Sequence, residues 1–126
     1  MPRTLSVSRS QIDKEHQDSL RRFKAAVFQA LAHSTRIHII ECLADGEQAV
    51  GVLLERVGVE PANLSQHLSG LRAQRLVVSR KEGNQVWYSL RDPMLVEVLA
   101  TMRRYFQAHL EEAMTMLKGL ARRPGV

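Results

Sequence analysis

One cysteine, Cys42, stands in 126 residues. No disulfide can close within such a chain, and the cysteine pairs that build thiolate metal sites are missing. No stretch approaches the roughly 20 apolar residues that span a bilayer. The opening residues MPRTLSVSRSQ hold no apolar segment of signal-peptide length, so a cytoplasmic protein with no membrane partner is expected. A Gly-rich phosphate loop, a metal-ligand cluster and a nucleophile–base constellation are all lacking, which argues against catalysis and against a cofactor. Acidic side chains are outnumbered 13 to 18, giving a formal charge of +5 and a pI near 10.0. The expected partner is therefore polyanionic, although charge alone does not separate nucleic acid from an anionic surface or an acidic protein.

What is present is one domain's worth of pattern. With 44% apolar residues the chain can bury one modest core, and neither an internal repeat nor a second domain is visible. Residues 1–10 are polar and aperiodic and read as a flexible tail. Ser10, with Asp13 three residues on, has the form of a capping box opening a helix to about Ala32, striped by Leu20, Phe23, Val27, Phe28 and Leu31. A second helix begins near Ser34, turns Ile37, Ile40 and Leu43 inward, and stops at Asp45-Gly46. A third, from Glu47 to Val57, places Val50, Leu53, Leu54 and Val57 inward.

The informative stretch is Gly58–Leu76. Gly58 suits a left-handed helix end and Pro61 a first helical turn, so the two frame a tight turn between helices. Leu64, Leu68 and Leu71 fall on one buried stripe, while Asn63, Ser65, Gln66, Ser69 and Arg72 lie on the opposite face. Amides and hydroxyls of this kind match base edges in a major groove, and the first turns of such a helix meet the bases. Asn63, Ser65, Gln66 and His67 are thus the expected base readers.

Past this helix the period changes to two. Val77–Lys81 and Gln85–Leu90 flank Glu82-Gly83-Asn84, a hairpin turn, and Arg80 and Lys81 sit near its tip within reach of phosphate. Asp92-Pro93 then opens a last helix to about Lys118, with Leu95, Leu99, Met102, Phe106, Leu110, Ala113 and Leu117 spaced by threes and fours. So long a stripe has too little chain left to cover it, and pairing with a second copy, together with Phe23 on the first helix, would do so. Residues 119–126 read as a basic tail, leaving residues 11–118 as the folded domain.

Three segments carry a resemblance. Phe28-Gln29-Ala30-Leu31-Ala32-His33-Ser34-Thr35-Arg36-Ile37 is similar to F-K-A-L-A-H-P-T-R-L of the ArsR/SmtB family, with Ser34 replacing proline. Leu64-Ser65-Gln66-His67-Leu68 through Leu71-Arg72 resembles its V-S-Q-H-L-x-x-L-R, and Val86-Trp87-Tyr88-Ser89-Leu90 its wing strand V-x-Y-x-L. The match covers roughly residues 20–110. It implies a mainly helical winged helix-turn-helix with a β-hairpin wing, dimeric through the first and last helices. It also implies a repressor on a palindromic double-stranded operator until a signal releases it. The DNA surface would comprise Asn63, Ser65, Gln66, His67, Ser69, Arg72, Arg80 and Lys81. A winged-helix module that binds a protein is the alternative.

The family's sensing sites are absent or half built. Where relatives carry Cys-x-Cys, this chain has Ala49-Val50-Gly51. His109 and Glu112 match the second half of another family metal site, but Val96 and Val98 replace its first half, so completion would need donors such as His16 or Asp92. Cys42 occupies the position of the first of two redox cysteines, and the second falls near Phe106. A thiol-directed oxidant acting at Cys42, or a small molecule, is the expected effector in preference to a metal. The bland reading of Cys42 is a small buried hydrophobe.

Overall fold

The computed structural model describes residues 8–121. Its elements are α1 (Arg9–Leu31), α2 (Ser34–Leu43), β1 (Gln48–Ala49), α3 (Val50–Val57), α4 (Pro61–Ala73), β2 (Val77–Glu82), β3 (Gln85–Leu90) and α5 (Met94–Ala121). The chain divides after Arg91 into a unit containing α1 to β3 and a unit formed by α5.

In the first unit, the core is drawn from every helix by its apolar stripe. Leu31 of α1, Ile39, Ile40 and Leu43 of α2, Leu53 of α3, and Leu64, Leu68 and Leu71 of α4 are buried, closed below by Val77 of β2. No polar or charged residue is buried among the described residues, so the core incurs no uncompensated polar desolvation. Gly58 ends α3 at φ 72°, and its N–H donates to Leu54 O at 3.0 Å. Pro61 then opens α4, as its missing N–H and fixed φ allow. The helix-turn-helix is therefore α3–α4, with the expected leucine stripe inward.

The sheet has three strands in the order β1-β3-β2, all antiparallel. Glu82 pairs with Gln85, so the hairpin turns on Gly83-Asn84, with Gly83 at φ 60°. A glycine takes that backbone freely.

Four expectations are corrected. The cap of α1 is Ser8 instead of Ser10: its Oγ accepts the Gln11 N–H at 3.3 Å, because no glycine or proline after Ser8 stops the helix from extending back. The remainder of the proposed 1–10 tail lies outside the described residues. Glu47–Ala49 is not helical; Gln48 and Ala49 pair with Tyr88 and Trp87, a strand too short to leave a period in the sequence. Ile37 is 39% exposed and Ile39 is buried in its place, since the apolar residues of α2 occupy more than one side. Finally, α5 continues through Ala121, three residues past the expected end; beyond it, the basic tail is outside the described residues. The start of α5 is as expected, with Asp92 Oδ1 accepting the Met94 N–H at 2.9 Å.

Candidate nucleic-acid interface

The α4 surface follows from its buried stripe. With Leu64, Leu68 and Leu71 inward, Asn63, Ser65, Gln66, Ser69 and Arg72 are all exposed. A row of short amides and hydroxyls ending in a guanidinium thus faces outward from a rigid helix. Such groups can both donate to and accept from base edges.

His67 differs from its neighbours. It is half-buried, and its Nδ1 accepts a hydrogen bond from Arg36 Nε at 3.1 Å. Arg36, on α2, also donates through Nη1 to Ala30 O at 3.1 Å. The His33 ring stands beside His67, with centroids 5.5 Å apart. Desolvation, then the nearby Arg36 charge, then His33 hold the His67 imidazole below the ordinary histidine range. His67 is thereby turned to α2, where its ring ties α4 to Arg36. Gly70 explains how Arg36 reaches across: a Cβ there would collide with the Arg36 guanidinium.

The wing is similarly divided. Arg72 Nη1 donates to Ser79 Oγ at 3.3 Å, joining the end of α4 to β2. Arg80 is engaged by carboxylates: Nε and Nη2 donate to Glu47 at 2.8 and 2.6 Å, Nη1 donates to Glu82 at 2.6 Å, and its Cζ lies 5.3 Å from the Trp87 ring centroid. The Arg80 hydrogen bond is the main reason the Glu47 carboxyl lies below its usual range, and Arg80 itself is pushed up in return. Arg80, the expected phosphate ligand, thus ties the residue before β1 to the hairpin. Lys81, next along the strand, is exposed and has no carboxylate within ion-pair distance among the described residues. Sequence reading missed Arg36 and Glu47 in these roles. A glycine inside α4, at Gly70, was the one signal of a close approach there.

Comparison with known proteins decides what the scaffold is. The model of the family described as bacterial regulatory protein, arsR family, matches residues 33–79. The HTH-type transcriptional regulator Rv0081 of Mycobacterium tuberculosis is 38% identical over 104 residues, spanning 82% of this chain and 91% of that protein.

The chain belongs to the ArsR family.

Nodulation protein NolR of Rhizobium meliloti is also similar, 35% identical over 89 residues and covering 71% of each chain. The Rv0081 crystal structure superposes with a TM-score of 0.69 at 40% identity, over 75% of this chain and 96% of that one. The homodimeric winged helix-turn-helix DNA-binding domain Mb0332 of Mycobacterium bovis gives 0.70 at 27% identity, over 86% and 95%. This ArsR-family chain is thus a transcriptional regulator with a winged helix-turn-helix, and its relatives are regulators, not enzymes.

The remaining candidates of the ArsR-family regulator fall as follows. Cys42 is 3% exposed in the α2 core, so its thiol meets solvent only if that core opens. His109 Nδ1 and Glu112 Oε2 lie 3.8 Å apart on the exposed surface of α5. The described residues hold no group of three or more His, Cys, Asp or Glu side chains able to share a metal ion. Phe23 of α1 and Phe106, Leu110 and Ala113 of α5 are exposed, and Leu95, Leu99 and Met102 are half-buried. No helix among the described residues is long and apolar enough to cross a membrane.

Proposed function

We propose that this regulator represses transcription as a homodimer seated on a palindromic operator. The observation that carries the reading is the outward row Asn63, Ser65, Gln66 and Ser69 on α4, fixed from behind by leucines and by the Arg36–His67 bond. Gln66 and Asn63 supply the bidentate amide geometry that suits adenine, and Ser65 and Ser69 supply adaptable hydroxyls. Arg72 and Lys81 add sequence-independent phosphate contacts that dominate affinity at low salt.

Dimerisation is supported by uncovered apolar surface on two helices. Phe23 of α1 is 60% exposed and Leu110 of α5 is 60% exposed, with Phe28, Phe106, Met114 and Leu117 exposed as well. Side chains of this size left in water on long helices favour a second copy as their cover. A twofold pair would present two α4 helices to successive major grooves about one helical turn apart.

Gel shift with the DNA upstream of the chain's own gene, against excess random duplex, tests the reading. A retained complex at a competitor excess that removes random binding supports it. Equal loss on both DNAs would point to the protein-binding alternative.

A further inference from the structure

The end of α4 carries a feature outside the row of base readers. The chain leaves the helix through a Schellman turn: Leu76 N–H donates to Leu71 O at 3.0 Å and Arg75 N–H to Arg72 O at 2.9 Å. The residue at the left-handed position of that turn is Arg75, at φ 57°, the one non-glycine with positive φ among the described residues. Glycine would sit there without strain; a side chain held there has a cost that the sequence has not removed. At the far end of the hairpin, Arg91 N–H donates to Leu76 O at 3.1 Å, which fastens a second arginine beside the first.

Arg72, Arg75 and Arg91 line one open depression of roughly 380 Å³, completed by Val77, Val78 and Ser79. None of the three has a carboxylate within ion-pair distance among the described residues, whereas Arg21, Arg56 and Arg80 each do. Three uncompensated guanidiniums around one concavity raise the local potential and offer fork-shaped donors to an oxyanion.

We propose that this depression is a phosphate site, filled by the sugar–phosphate backbone of bound DNA. Ser65, Ser69 and Arg72 recur at i, i+4 and i+7 on α4, so the site continues the proposed recognition face beyond its base-reading turns. Ser79 and Lys81 share one face of β2, which carries the same line of donors toward the wing tip. Arg75 and Arg91 are thus clamps that set the register of α4 on the duplex without reading sequence. The choice of DNA as the source rests on the proposed DNA-binding function; the anion chemistry does not.

The test is fluorescence anisotropy of the full chain on a random-sequence duplex across a potassium chloride series, with R75G, R91A, R75G/R91A and the charge-matched R9A/K14A control. The double variant is expected to bind roughly tenfold more weakly at physiological salt, with the slope of log affinity against log salt shallower by about two for each protomer bound. The control is expected to move much less. R75G removes the charge and the backbone strain together, so its melting temperature holds or rises while its affinity falls, which a folding defect would not produce.

Calorimetric titration of DNA-free protein with inorganic phosphate separates the sources. Saturable phosphate binding that R75G/R91A abolishes, with an unchanged DNA slope, would overturn DNA as the source. No change in either measurement would overturn the site itself. Wild-type protein that binds random duplex with the expected slope but shows no sequence preference would reject the operator reading and leave the clamp standing.

Discussion

Arg36 Nε donates to His67 Nδ1 at 3.1 Å, so one arginine of α2 holds α4 from behind while its Nη1 holds Ala30 O at the end of α1. Three helices meet on that guanidinium. Arg36→Ala is expected to destabilise the fold by about 1–3 kcal/mol, because the Ala30 carbonyl and the His67 ring lose their donor in a partly buried place. Arg36→Lys should recover less than half, since one ammonium does not reproduce the fork. Urea denaturation of the three proteins measures this; an Arg36→Ala loss below the resolution of the method would remove the strut from the account.

The burial of His67, with the Arg36 charge beside it, sets a pH dependence. The folded protein holds His67 below the ordinary histidine value, so the folded state binds its proton less readily than the unfolded chain does. The stability contributed is complete above the unfolded value of about 6.5 and is lost as pH falls through that value and the lower folded one. Melting temperature should decline as pH falls below about 6.5 more steeply in wild type than in His67→Asn, which keeps an acceptor and cannot charge. Parallel pH curves would place the proton elsewhere.

Arg80 is paired with Glu47 and Glu82, each at 2.6 Å. Glu47→Gln/Glu82→Gln frees it, and binding to random duplex should tighten, with a salt slope steeper by about one. Adding Arg80→Ala to that pair should cancel the gain. If the gain survives without Arg80, lowered acidity alone is responsible.

The dimer prediction is read by sedimentation. Leu110→Arg on α5 and Phe23→Arg on α1 each place a charge in surface that the dimer would cover. Each should yield monomers at concentrations where wild type is dimeric, with operator affinity reduced at least about tenfold. Dimers that persist through both changes would move the interface elsewhere.

These relationships separate what was legible in the sequence from what was not. Gly58, Pro61 and the Leu64–Leu68–Leu71 stripe announce the turn and its second helix because capping and period act locally. The hairpin is legible for the same reason, through Gly83-Asn84 and the alternation on either side of it. Local pattern carries no information about partners far along the chain. The Arg80–Glu47 pair spans 33 positions and Arg36–His67 spans 31, so neither pairing is visible in the local pattern, where Arg36 stands only within the motif segment, Arg80 reads as a phosphate contact and His67 as a base reader. Strand β1 escaped because two residues have no period; it exists by pairing with Tyr88 and Trp87.

The central claim is that the exposed face of α4 reads sequence. The most direct measurement is the ratio of affinities for the preferred operator and for random duplex, taken for wild type, Gln66→Ala and Lys81→Ala at one salt concentration. Gln66→Ala should lose roughly 1–3 kcal/mol on the operator and almost nothing on random DNA, with specificity relaxed at one base pair, while Lys81→Ala weakens both DNAs alike. Equal loss on both duplexes for Gln66→Ala would contradict the account.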